Sequence, residues 1–153
     1  MVLPFDTVTQ SAAQTQKLGE KFGNSFLRGV EGRELPRVVC LWGELGSGKT
    51  TFTQGFAKGL GITSRLLSPT FIIVRRHDIP NTSRVLYHLD LYRVTSSEDV
   101  PAIGFADMIH EPESLVVVEW PERLGTLLPE RRIDIRFETQ NNGSHNLQGV
   151  SYG

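Results

Sequence analysis

Gly43-Glu44-Leu45-Gly46-Ser47-Gly48-Lys49-Thr50 fits the pattern G-x-x-x-x-G-K-[ST] at every fixed position. Glycines at these places let the backbone wrap closely round an anion, with successive N–H groups turned inward on phosphate oxygens. Lys49 then reaches the β- and γ-phosphates of a nucleotide, and the Thr50 hydroxyl serves Mg²⁺. The positive end of the following helix adds to the same field. The candidate phosphate-binding residues are therefore Glu44, Leu45, Gly46, Ser47, Gly48, Lys49, Thr50 and Thr51. A glycine-rich turn would match this pattern by accident in about one chain of this size in a hundred. Context favours function over accident. The apolar run Arg37-Val38-Val39-Cys40-Leu41-Trp42 before the turn reads as a buried strand. After it, Phe52, Phe56 and Leu60 mark the core face of a helix that stops at Gly61.

Working outward, Ser11–Arg28 carries Leu18, Phe22 and Phe26 at a spacing of four and predicts an amphipathic helix capped by Ser11, despite Gly19 and Gly23. Thr70–Arg75 and Arg84–Asp90 read as strands joined by the turn Pro80-Asn81-Thr82-Ser83. Ser96–His110 reads as a helix interrupted at Pro101 and Gly104, and Leu115-Val116-Val117-Val118-Glu119 as a buried strand. A last strand near Arg132–Phe137 runs into the polar loop Gln140–Ser144, with residues 138–153 expected to be weakly ordered. Strands alternating with helices predict an α/β fold. The expected architecture is a three-layer sandwich of the P-loop NTPase type, with a mainly parallel central sheet and antiparallel flanking strands. The expected domain count is one, over residues 1–153.

A P-loop NTPase needs an acid at the carboxyl end of a neighbouring strand, to hold Mg²⁺ or its water shell. Asp90 and Glu119 both end strands, and ligands of open α/β sheets sit at such ends. The pattern does not rank the two. Ser68-Pro69-Thr70 precedes a strand, where Thr70 is placed to add a hydroxyl at the metal or γ-phosphate, or only to cap a turn. Arg93, three residues beyond Asp90, reads either as a phosphate or partner contact or as an exposed arginine. His88 is read as structural, and Cys40 as a small buried hydrophobe.

Composition narrows the class further. The chain has 153 residues, with 39% hydrophobic and 22% charged, enough to bury about 70% of its unfolded surface without staples. Sixteen basic residues against 17 acidic ones leave a net charge of −1, which gives no footprint for strong unaided nucleic-acid or membrane binding. No apolar run approaches the roughly 20 residues of a membrane span. Met1–Asp6 lacks the basic and apolar regions of a signal peptide. With a single cysteine, the expected setting is the reducing cytoplasm.

The P-loop, Ser68-Pro69-Thr70, His88-Leu89-Asp90-Leu91-Tyr92-Arg93 and Glu119-Trp120-Pro121 occur here in this order. In this the chain resembles the bacterial tRNA threonylcarbamoyladenosine biosynthesis ATPases of the TsaE (YjeE) family, from the N-terminal helix to about Pro129. The P-loop alone is widely shared; the combination of the other three motifs at these intervals is far more specific. The resemblance implies an ATPase, using ATP/ADP and Mg²⁺, within the complex that modifies adenosine 37 of tRNAs reading codons that begin with A. The partners TsaD and TsaB would carry the transfer and hold most of the tRNA, while ATP hydrolysis here resets the complex between turnovers. By motif, Lys49 binds phosphate, Thr50 and Glu119 serve Mg²⁺, Asp90 is needed for hydrolysis, and Ser68–Thr70 form a switch-like loop. Lys49, Asp90 and Thr70 are thus the candidate catalytic residues, and Thr50, Glu119 and Asp90 the candidate metal residues. Hydrolysis is expected to be slow alone, since no arginine finger is evident in cis. Two rivals are a small-molecule kinase, which would need a lid that is not visible here, and an ATP-dependent scaffold without useful hydrolysis.

Overall fold

A computed structural model of the protein describes residues 3–28, 34–63 and 73–153. In chain order the elements are β1 (Phe5–Thr9), α1 (Ala12–Arg28), β2 (Val38–Trp42), α2 (Lys49–Gly59), β3 (Val74–Asp78) and β4 (Val85–Asp90). Then come a 3-10 segment (Ser97–Ile103), α3 (Phe105–His110), β5 (Ser114–Glu119), a second 3-10 segment (Pro121–Leu127), β6 (Arg132–Thr139) and β7 (His145–Tyr152). The strands form one sheet in the order β1-β7-β6-β2-β5-β4-β3. Its centre, β6-β2-β5-β4, is parallel. The flanking pairs β3–β4, β6–β7 and β7–β1 are antiparallel.

The sheet separates two cores. On one face α1 and α2 pack Phe22, Phe26, Phe52 and Phe56 against Val39, Leu41, Val117 and Ile135. On the other, Val100, Phe105 and Leu124 cover Cys40, Val116 and Val118. Apolar residues run continuously through β2 and β5 because both of their faces are covered, whereas a half-solvated strand would alternate. The result is a three-layer α/β sandwich of the P-loop NTPase type.

Gly19 and Gly23, which weaken α1 as an isolated helix, are where α2 comes closest. A Cβ on Gly19 would lie 3.0 Å from the Phe56 amide nitrogen, and one on Gly23 would lie 3.1 Å from the Gly59 Cα. On α2, a Cβ on Gly55 would stand 2.7 Å from the carbonyl carbon of Gln16, and one on Gly59 2.9 Å from that of Glu20. Four glycines thus let two backbones touch. The start of α1 is capped as expected, with the Gln14 amide donating to the Ser11 hydroxyl at 3.1 Å.

Two expectations are corrected, and one strand is new. The strand expected over Thr70–Arg75 is β3, which begins at Val74 and extends to Asp78; residues 70–72 lie outside those described. The segment 138–153, expected to be weakly ordered, instead completes β6 and forms β7, which is paired on both sides. Strand β1 was not anticipated at all. Leu147 of β7 is fully buried, and Gly149 leaves room for the ring of Phe5. Long-range pairing therefore orders a stretch whose local propensity is poor. The interrupted helix over Ser96–His110 is found as a 3-10 segment and α3, divided at Gly104 with φ +78°. Among the described residues no helix is long and apolar enough to cross a membrane.

Candidate functional site

The turn from β2 to α2 lies at the carboxyl edge of the parallel strands. Gly46 and Gly48 have φ of +78° and +103°, a left-handed backbone that other residues adopt only with strain. Gly48 is the N-cap of α2 and offers no side-chain cap, so amides of the first turn remain for a ligand. Ser47 is buried, and its hydroxyl has no hydrogen-bond partner among the described residues. The Lys49 ammonium donates to the carbonyl oxygens of Gly43 and, at 3.1 Å, Glu44. It also lies 3.8 Å from the centre of the Trp120 ring. Burial pushes the Lys49 pKa down, against the opposing carboxylates of Glu119, Glu122, Asp90 and Glu44.

Asp90 and Glu119 face each other in register at the ends of β4 and β5. Their surroundings differ. The Thr50 hydroxyl donates to Glu119 Oε1 at 2.8 Å, and His88 Nε2 lies 2.5 Å from Oε2. Asp90 is half-buried and accepts a hydrogen bond from the Tyr92 amide at 3.1 Å. Burial raises the Asp90 carboxyl pKa; the Tyr92 amide opposes this and the neighbouring Glu119 reinforces it. The acid touching the P-loop threonine is therefore Glu119, a ranking that depends on which strands are neighbours. His88, read from the sequence as structural, thus touches the acid of the site. Two-residue alternation with Asp90 was the available signal, since both side chains lie on the α2 side of β4.

Asp90 and Glu119 line a pocket of about 640 Å³, together with Leu45–Thr51, while His88 lies behind Glu119 outside the lining. Its walls also include Ala12 and Thr15 of α1, Ile73, Tyr92, Arg93, Trp120 and His145. Of the candidate phosphate binders, Glu44 alone is not in the lining and contributes through its carbonyl to Lys49. Trp120 holds φ +63° and packs against Tyr92 with ring centres 5.1 Å apart and ring planes inclined at 47°. Thr15 forms the wall beside Gly48, and its hydroxyl lies 2.7 Å from that of Thr9; Ser11 is occupied as the helix cap. Ser68, Pro69 and Thr70 lie outside the described residues.

The donor chemistry at Thr50 and Glu119 suits Mg²⁺. A hydroxyl and a carboxylate are hard oxygen ligands, and Mg²⁺ is bound through one or two such groups plus substrate phosphates and water. Among the described residues no group of three or more His, Cys, Asp and Glu gathers to hold an ion by itself.

Residues 9–147 match the family model described as "Threonylcarbamoyl adenosine biosynthesis protein TsaE". The tRNA threonylcarbamoyladenosine biosynthesis protein TsaE of Treponema pallidum is 34% identical over 140 residues, covering 92% of this chain and 96% of that protein. Its counterpart in Bacillus subtilis is 42% identical over 117 residues, covering 76% and 70%. In Haemophilus influenzae the figures are 32% over 122 residues, covering 80% and 74%. The crystal structure of YdiB from Bacillus subtilis superposes with a TM-score of 0.75 at 25% identity, covering 100% of this chain and 88% of that one.

Proposed function

Because the chain belongs to the TsaE family of threonylcarbamoyl adenosine biosynthesis proteins, we propose that it is a P-loop ATPase, one domain over its length, serving that modification at adenosine 37 of tRNAs that read codons beginning with A. The observation that carries the ATPase reading is the contact of Thr50 with Glu119 at the mouth of a glycine turn that holds a buried lysine. Lys49 leaves the carbonyls of its own loop for the phosphates of ATP, helped by the free amides at the start of α2. Thr50 and Glu119 would hold Mg²⁺, which would supply positive charge against the phosphates of the nucleotide. Asp90, whose carboxyl has a raised affinity for a proton, orients the attacking water and takes its proton. Thr70 joins this set as a residue of the switch-like loop.

Among the described residues Arg93 is the one arginine in the pocket wall, and it is exposed. Hydrolysis by the isolated protein is accordingly slow, and partners of the TsaD and TsaB type accelerate it in the cytoplasm, with tRNA held mainly by them. The test is ATP turnover by the purified protein, alone and with the TsaB–TsaD pair plus tRNA. A low rate that rises severalfold with the pair and vanishes in Lys49→Ala and Asp90→Ala is expected. A rate indifferent to the pair refutes the role in that complex. Phosphate appearing on an added acceptor, not as free phosphate, refutes the hydrolase.

A further inference from the structure

Glu119 is held from two sides, one carboxylate oxygen by Thr50 and the other by His88. The Thr50 hydroxyl donates to Oε1 at 2.8 Å, while His88 Nε2 meets Oε2 at 2.5 Å. A threonine that binds an ion through an oxygen lone pair keeps its O–H for the carboxylate, so Thr50 and His88 fix one oxygen each. His88 is the group that fixes the second carboxylate oxygen. It is well placed to do so: it lies on the central strand β4, opposite Val117 on β5 and Arg75 on β3, and is 4% exposed. Its Nδ1 is buried without a hydrogen-bond partner among the described residues, so the imidazole has one polar attachment, Glu119. An apolar side chain would fill the same space without an orphaned nitrogen. Packing alone therefore does not account for a histidine here.

We infer that His88 is a positioning residue, whose Nε2–H holds Glu119 Oε2 so that Oε1 stays turned toward Thr50 and the ion of a nucleotide complex. This rests on the Mg²⁺–nucleotide reading of the site. Carboxylates that bind ions are themselves oriented by hydrogen bonds, and loss of such a partner commonly weakens ion binding about 10- to 100-fold.

The experiment titrates fluorescently labelled ADP into the intact protein, once with MgCl₂ and once with EDTA, and takes the ratio of the two affinities. His88→Ala should reduce that ratio at least about tenfold and leave the affinity in EDTA unchanged. His88→Gln, whose amide nitrogen reaches where Nε2 stood, should restore the ratio. His88→Asn, whose amide reaches only the Nδ1 position, should not. If His88→Ala fails to fold by circular dichroism and thermal melting, the Gln and Asn pair decides. A wild-type ratio in His88→Ala, or equal ratios in Gln and Asn, overturns the inference; so does a parallel loss of affinity in MgCl₂ and EDTA. A wild-type protein that binds the probe with no gain from MgCl₂ overturns the reading of the site itself.

Discussion

Gly55→Ala adds one methyl group and should be among the most damaging small substitutions in the chain. The new Cβ would stand 2.7 Å from the Gln16 carbonyl carbon, about 0.8 Å inside the ~3.5 Å at which carbon atoms rest. Both partners are helix backbone, so no side chain can swing aside. The helices must separate, and a gap of that size forfeits about a quarter to a half of the dispersion attraction across the affected contacts. Overpacking of this kind costs about 1–3 kcal/mol, occasionally more. Against it, alanine gains about 1 kcal/mol of helix propensity over glycine. With two rigid partners we place the net loss at about 2 kcal/mol, which lowers Tm by about 4–8 °C for a chain of this size. The site should suffer too, because α1 carries Ala12 and Thr15 in the pocket wall and α2 carries Lys49 and Thr50. Thermal melting and labelled-ADP affinity read the two effects. Gly104→Ala is the control. It has φ +78° but open space around it, so it should lose only about 1 kcal/mol and leave ADP affinity intact. A Gly55→Ala protein that melts at or above the wild-type temperature would refute the interlocked-helix account.

Asp90→Asn should reduce ATP turnover by about 100-fold or more, with ADP binding retained. The raised pKa of Asp90 also fixes the sign of a stability effect. Its folded form binds the proton more tightly than the unfolded chain does, so the ionised carboxylate weakens the fold at neutral pH. That penalty disappears below the ordinary carboxylate range, where both states are protonated. Nucleotide-free Asp90→Asn should therefore melt above wild type at pH 7, and the difference should vanish in acid; a variant that melts lower at pH 7 contradicts this. Burial, aided by Asp134, pushes the Cys40 thiol up to about 12, so a thiol reagent at pH 8 should label the native protein far more slowly than the urea-unfolded one. Ending the chain at Gln140 removes the strand that joins β1 to β6, and should abolish cooperative unfolding rather than trim a loose tail.

The P-loop, the strand before it and the helix after it were legible from residues 37–61, because an unusual local backbone demands unusual residues in fixed order. The same holds for the cap at Ser11 and the break at Gly104. Strands β1 and β7 were not legible. His145-Asn146-Leu147-Gln148-Gly149-Val150 carries little of the apolar pattern of a strand, and of the two strands that order it, β6 and β1, the second lies at the other end of the chain. The candidate site divides in the same way. Lys49, Thr50, Asp90 and Glu119 could be named from motif and strand ends alone. That Glu119 is the acid on Thr50 followed only once β5 was found beside β2, and that His88 stands behind it only once β4 was paired with β5. Gly19 and Gly23 looked like flaws in a helix until Gly55 and Gly59 were found against that helix. Local backbone geometry is written in consecutive residues, and so the sequence by itself determined the phosphate loop. Which side chains meet across strands and helices depends on register and on how closely elements pack, and only the tertiary structure decided that.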